Sequence, residues 1–277
     1  MLARAPRPVS SPPLAPADGA APEETLGRLG ALRVRLARSD REIEAAQRLR
    51  CAVFVHECGA SPRGREGGRE GDALDAACDH LLVLDGARLI GTTRLLRGTV
   101  ARERGGHYTD REFDLAPLLA RQRHRRLLEL GRTCIHPEYR DRRTIELLWH
   151  GVWAYALRHG CDAMLGCASF PGLDPDGHAG ALGFLARHAA APPEWSARGR
   201  GPAVPMACYA PRALPPRAAL RALPPLLKGY LRLGARVGPD LVPDPDFRCL
   251  DALVTLPREA IAPRYLRHYG EAAERFG

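Results

Sequence analysis

Two charged residues, Glu129 and Arg132, stand inside the apolar run Leu127-Leu-Glu-Leu-Gly-Arg-Thr-Cys-Ile135. Charge in a segment that must be buried is costly unless it is paired or used. A carboxylate there can take a proton, and a guanidinium can orient it or bind an anion. In an ideal strand the two side chains point to opposite faces. Gly131 between them predicts a bulge that turns both toward one cleft and frees backbone N–H groups for an oxyanion. A buried Glu–Arg pair with no chemical task fits the same pattern.

Further along, Tyr139-Arg-Asp-Arg-Arg-Thr144 precedes a helix. A helix N-terminus favours anions, but this loop lacks the glycines that let backbone wrap a pyrophosphate. Arg140, Arg142 and Arg143 can instead hold a single phosphate through their side chains; a solvated basic loop reads the same way. Asp72 and Asp75, three residues apart, share one side of a helical turn and suit an ammonium group, or belong to an ordinary polar loop. The cluster Arg121, Arg123, His124, Arg125 and Arg126 reads as a solvated face or a dock for an acidic partner.

The elements that position these groups follow from periodicity. Alternation over 31–37 predicts a strand, and Ser39 or Asp40 caps a helix whose apolar face carries Ile43, Ala46, Leu49, Val53 and Phe54. Residues 57–78, rich in glycine and charge, predict a mobile loop. Strands over 80–84 and 88–96 join at Asp85-Gly86 as a hairpin. A short helix is expected near 115–121, a strand over 127–135, a helix over 144–159 and a strand over 163–169. Then come a helix over 177–188, a loop over 192–202, a strand over 204–209 and a helix over 224–233. A strand over 249–255 and a helix over 263–276 close the chain. This order predicts an α/β protein with a mixed sheet flanked by helices. Residues 1–30, rich in Pro, Ala and Gly, read as a disordered tail. Residues 31–277 read as one domain, elaborated from about residue 200.

With 277 residues and 45% hydrophobic content, the chain can bury a real core. It lacks a spanning segment and a signal sequence, so the expected place is the cytoplasm. The formal charge of +9 suits an acidic protein, an anionic membrane or nucleic acid. Dispersed basic residues, 6% aromatics and no nucleic-acid motif argue against the last, leaving a basic nucleic-acid-binding protein as the non-enzyme alternative. Eight cysteines without a Cys-x-x-Cys pair suggest reduced, mostly buried thiols and no metal.

The motifs Arg50-Cys-Ala-Val-Phe54, Asp72-Ala-Leu-Asp75, Cys78-Asp-His-Leu-Leu-Val83, Gly91-Thr-Thr-Arg94 and Glu129-Leu-Gly-Arg132 resemble, in order, those of acyl-homoserine lactone synthases. A sister group, the L-ornithine Nα-acyltransferases, matches more closely. That match rests on Gly131-Arg-Thr-Cys-Ile-His-Pro-Glu-Tyr-Arg-Asp141, Leu165-Gly-Cys-Ala-Ser-Phe-Pro-Gly172, Leu223-Pro-Pro-Leu-Leu-Lys-Gly-Tyr-Leu-Arg-Leu-Gly-Ala235, Asp244-Pro-Asp-Phe247 and Pro263-Arg-Tyr265. The resemblance spans about residues 31–270. It implies a GNAT-like N-acyltransferase fold with splayed central strands. It also implies transfer of a 3-hydroxyacyl group from acyl carrier protein to the α-amine of L-ornithine, giving lyso-ornithine lipid.

On that resemblance Glu129 is the expected base and Arg132 its partner or a carboxylate ligand. Asp72 and Asp75 grip the side-chain ammonium, Arg94 takes the carboxylate, and Arg50 and Phe54 complete the substrate site. The phosphopantetheine slots between the strands over 127–135 and 163–169, its phosphodiester on Arg140, Arg142, Arg143 and Thr144. No bound cofactor is implied, since the carrier protein brings the phosphopantetheine. The amphipathic segment around Lys228, the sole lysine, reads as a membrane-surface contact or a packed helix. The lactone synthases carry a tryptophan shortly after the Arg-x-x-x-Phe motif; residues 55–65 have none, which disfavours lactone production. Lactone synthesis and acylation of another amino acid stand as the alternative activities.

Overall fold

The computed structural model describes residues 25–62 and 65–269. Strands β1 (Gly27–Leu29) and β2 (Leu32–Leu36) precede α1 (Asp40–Arg50), which continues as a π-helical turn, Cys51–Glu57. The hairpin β3 (Asp79–Asp85) and β4 (Arg88–Arg97) leads to α2 (Gly98–Glu103) and α3 (Ala116–Arg121). Next come β5 (Leu127–Ile135), α4 (Arg142–Arg158), β6 (Ala163–Pro171) and α5 (Ala179–His188). The chain ends on β7 (Val204–Pro205), α6 (Pro216–Ala222), α7 (Pro225–Leu233), β8 (Arg236–Asp244), β9 (Cys249–Pro257) and α8 (Pro263–Tyr269). The expected single domain divides into two compact units. Of the described residues, one unit holds those through Leu96 with Gly131–Gly160 and Leu266–Tyr269; the other holds Arg97–Leu130 and Cys161–Tyr265. The boundary cuts β5 after Leu130.

In the first unit β1, β2, β3 and β4 form an antiparallel ribbon. Gly86 at φ 55° makes the tight β3–β4 turn that the Asp85-Gly86 pair predicts. Ser39 caps α1 by accepting from the Glu42 N–H, as read from the sequence. The apolar stripe of α1, with Ala45, Ala46 and Leu49, packs with Val53, Leu82, Leu84, Leu89 and Cys134. Each leucine and valine of this cluster contributes about 1.5–3 kcal/mol on full burial.

Of the tail expected over 1–30, the part from residue 26 to 29 is built into the fold. Leu26 is buried and Gly27–Leu29 pairs with β2, while residues 1–24 lie outside the described residues. The loop expected over 57–78 is tied down. It carries a short antiparallel pair, Arg65–Glu66 with Arg69–Glu70, and buries Glu70 and Asp75. Its acidic residues find arginines on other elements, which composition does not reveal.

In the second unit β5 pairs in parallel with β6 over Leu127↔Ala163, Leu128↔Met164 and Glu129↔Leu165. Strands β6, β9, β8 and β7 then pair antiparallel in that order, so the sheet is mixed, as expected. Phe113, Leu115, Leu118, Leu127, Leu165, Trp195 and Leu253 form the core. The strand expected over 204–209 is only Val204–Pro205, followed by a 3-10 turn, Met206–Arg212; it stops at Pro205, which lacks the N–H a ladder needs. The same chemistry hid β8. Gly238-Pro239 interrupts its pattern, and its register with β9 shifts between Val237 and Leu241. The helix expected over 263–276 is described through Tyr269.

Candidate active site

Around the expected substrate residues the first unit builds a network of three arginines and three carboxylates. Arg50, fully buried at the end of α1, ion-pairs with Asp75 and Glu70 and also donates to the Glu70 carbonyl at 2.6 Å. Arg94 on β4 donates to Asp72 at 2.7 Å and to Asp75 at 2.9 Å. Arg132 on β5 donates to Glu70 at 2.9 Å and reaches Asp72 at 3.5 Å. Gln47 completes the shell around Asp75 at 2.8 Å.

Burial alone would raise the Asp75 pKa. Hydrogen bonds and charge from Arg50 and then Arg94 outweigh it and hold the carboxyl well below the usual range. The six charges balance, which is how a sheet tolerates them in its interior. Thus Asp72, Asp75, Arg94, Arg50 and Arg132 do come together, but they hold each other. Arg132 and Asp72, with side chains 11% and 13% exposed, are the outer members. Glu70, which holds two of the arginines, was not singled out from the sequence. Phe54, in the π-helical turn, packs against the α1 core.

The irregularity expected at Gly131 falls on Arg132, whose φ is 52°. A left-handed arginine costs about 1–3 kcal/mol and persists only where its surroundings enforce it; the Glu70 and Asp72 contacts supply that here. The basic segment before α4 is partly committed. Arg140 forks onto Glu57 with two bonds of 2.6 Å, and the exposed Arg142 reaches Glu146 at 2.7 Å. Arg143 is exposed, but Thr144 is fully buried and its N–H donates to the capping Asp141 at 2.8 Å. The capping carboxylate stands where a helix-end anion would bind, so exposed donors for a phosphate come from the arginines.

Glu129 belongs to the second unit and is 3% exposed. Its carboxylate accepts from His107 Nδ1 at 3.1 Å, the Tyr108 N–H at 2.9 Å, the Thr109 N–H at 2.7 Å and the Thr109 hydroxyl at 2.6 Å. Burial would raise its pKa, but His107 and Thr109 outweigh that and lower it. Glu129 is therefore an ionised carboxylate saturated with donors. It fixes His107 with Nδ1 protonated, and Nε2 has no hydrogen-bond partner among the described residues.

Beside it lies a carboxyl pair. The Cys167 thiol donates to Glu112 at 3.3 Å and approaches Thr109 at 3.7 Å, and ligand atoms of Glu112, Cys167 and Asp251 lie within 4.8 Å of one another. Burial and then the Asp251 charge push Glu112 up to about 9, and burial raises Asp251 as well. The pair therefore holds a proton at neutral pH. Like Glu129, Asp251 is a carboxylate inside an apolar strand, and that signal was present in Cys249-Leu-Asp-Ala-Leu-Val254. His107 and Glu112 sit in a polar stretch with no periodicity to betray them.

In the same unit Leu130, Met164, Gly166, Tyr230, Val254 and Leu256 line a small apolar crevice open to solvent. The three-pair ladder of β5 with β6 ends at its edge. A Cβ on Gly166 would overlap the Leu130 carbonyl oxygen, so glycine there lets the two strands approach.

Residues 49–150 match the family model described as an acetyltransferase (GNAT) domain. The chain is 49% identical over 263 residues to the L-ornithine Nα-acyltransferase of Rhizobium meliloti, covering 91% of this chain and 89% of that protein. It is 48% identical to the enzyme of that name from Agrobacterium fabrum, covering 91% and 90%. With the one from Rhodobacter capsulatus it shares 39% identity, covering 87% and 95%. Among solved structures it is similar to FeeM, an N-acyl amino acid synthase from uncultured soil microbes, at a TM-score of 0.49 and 14% identity, covering 88% and 97%. By this similarity along nearly its whole length, the chain belongs to the L-ornithine Nα-acyltransferase family.

Proposed function

We propose that this protein moves a 3-hydroxyacyl group from the phosphopantetheine thioester of acyl carrier protein to the α-amine of L-ornithine, forming lyso-ornithine lipid. The match to enzymes of that name along about nine-tenths of the chain carries the reading. In the reaction the amine loses a proton, attacks the thioester carbonyl and expels the thiol. In this reading Arg132 meets the substrate, and the base role expected of Glu129 passes to a neighbour. Glu129 acts by positioning: its carboxylate is saturated, so the proton goes to His107 Nε2, directly or through water. Arg132 and Asp72, the least buried of the network, exchange partners with the charges of the amino acid. Asp75, Glu70, Arg94 and Arg50 keep the frame neutral and rigid, and Phe54 braces it.

Arg140, Arg142 and Arg143 receive the phosphodiester, with Thr144 in support through its bond to the cap of α4. The apolar crevice suits the start of an acyl chain. The cytoplasm is the proposed site of action, and among the described residues no helix is long and apolar enough to cross a membrane.

The test is mass spectrometry of the amide formed by purified protein from 3-hydroxyacyl carrier protein and ornithine. Lysine, glutamine and S-adenosylmethionine serve as competing acceptors. Glu129→Gln and His107→Gln are each expected to lower turnover about 100-fold or more. Near-normal turnover in both variants refutes the base assignment, and lactone from S-adenosylmethionine would favour the lactone-synthase reading.

A further inference from the structure

Between Glu194 and Asp240 the chain has eight basic residues and no acidic one. Three of the eight are paired: Arg198 with Asp240, Arg200 with Asp110 and Asp114, and Arg212 with Asp176. Arg217, Arg221 and Arg232 are exposed, with no ion-pair partner among the described residues. The exposed large hydrophobic residues among those described are Leu173, Leu214 and Leu220, at 46%, 37% and 40%. All three lie in the second unit and in one neighbourhood. The Leu214 N–H donates to the Gly180 carbonyl at the start of α5, and Arg212–Asp176 ties the turn before α6 to the loop carrying Leu173.

Helix α6 sorts its residues by face. Ala219 is fully buried, with Leu223 just beyond also buried, while Arg217, Leu220 and Arg221 point outward at i, i+3 and i+4. An outward leucine flanked by two unpaired arginines, next to two exposed prolines and a second exposed leucine, gains nothing from water. We propose that α6 and the turn before it form a docking surface for an anionic lipid bilayer. Leu214 and Leu220 enter the headgroup layer, and Arg217 and Arg221 meet the lipid phosphates.

Charge selects this occupant. Five basic residues between Met206 and Leu233 have no acid among them, and arginine stems lie along apolar surface while their heads reach phosphate. The exposed acids of the adjoining loop are Asp174, which caps the Asp176 N–H, and Asp176, which Arg212 neutralises. An acidic carrier protein would use the arginines but has no need of leucines held out on both sides of a proline turn. Docking here would put the enzyme where a fatty acylated product partitions, but vesicle binding is measurable without any turnover.

The test is cosedimentation of the full chain with vesicles of phosphatidylcholine alone and of phosphatidylcholine with phosphatidylglycerol. Wild type is expected to bind the anionic vesicles at least about tenfold more tightly. Arg217→Gln with Arg221→Gln should weaken that binding about 30-fold, from about a fivefold loss per arginine. Leu220→Asp should weaken it about tenfold or more, while turnover on soluble substrates stays unchanged in both variants. Absence of wild-type binding to anionic vesicles overturns the proposal. So does vesicle binding unaltered by the substitutions, or an arginine variant whose only loss is affinity for acyl carrier protein.

Discussion

Glu129 and Glu112 show how one residue type takes opposite states within one unit of the fold. Four donors converge on Glu129 and keep it charged. Glu112 meets another carboxyl, Asp251, and a thiol, and is pushed up to about 9. The sign of the consequence follows. In the unfolded chain a glutamate ionises near pH 4.3, whereas in the fold Glu112 keeps its proton to about 9. The folded state thus binds more protons across that window, and this group's contribution to stability is full below about pH 4.3 and falls as pH rises toward 9. Glu112→Gln removes that dependence. Denaturant unfolding at pH 5 and pH 8.5 should show the variant gaining stability relative to wild type at the higher pH; a constant gap would place Glu112 in solvent. The charged strand residues Glu129 and Arg132 were legible as functional or paired from their apolar flanks alone. Their partners were not, because Glu70 lies 62 residues from Arg132 and His107 lies 22 from Glu129.

At the scale of elements, local chemistry foretold most of the architecture. Ser39 caps α1, Asp85-Gly86 turns the hairpin, and alternation marks β2. The failures were at prolines, which masked β8 and truncated the strand expected at 204–209. The parallel junction of β5 with β6 is the element most exposed to a small change. Gly166→Ala places a methyl against the Leu130 carbonyl, which is backbone and cannot step aside. It should cost about 1–3 kcal/mol and disturb the apolar crevice that Gly166 lines. Chemical denaturation together with the KM for the acyl carrier substrate checks this; unchanged stability would mean the strands part freely there.

The molecule as a whole carries +9 with arginine nearly its sole strong base. Such a field would speed encounter with the proposed acidic carrier protein and is screened by salt. Raising salt from about 50 to 500 mM should lower kcat/KM for the carrier substrate several-fold while kcat at saturation holds. Equal sensitivity of both would point to a salt-labile fold instead. By itself the sequence determined the cap, the hairpin turn, the buried strand with its two costly charges, the family and the positive field, since each depends on neighbouring residues, composition or whole motifs. Only the tertiary structure decided that Asp72 and Asp75 are taken by arginines, that Glu129 is saturated and holds a histidine, and that Glu112 shares its proton. Those outcomes depend on which groups distant in the chain meet out of water, and burial makes such meetings strong whichever residues lie beside them in sequence.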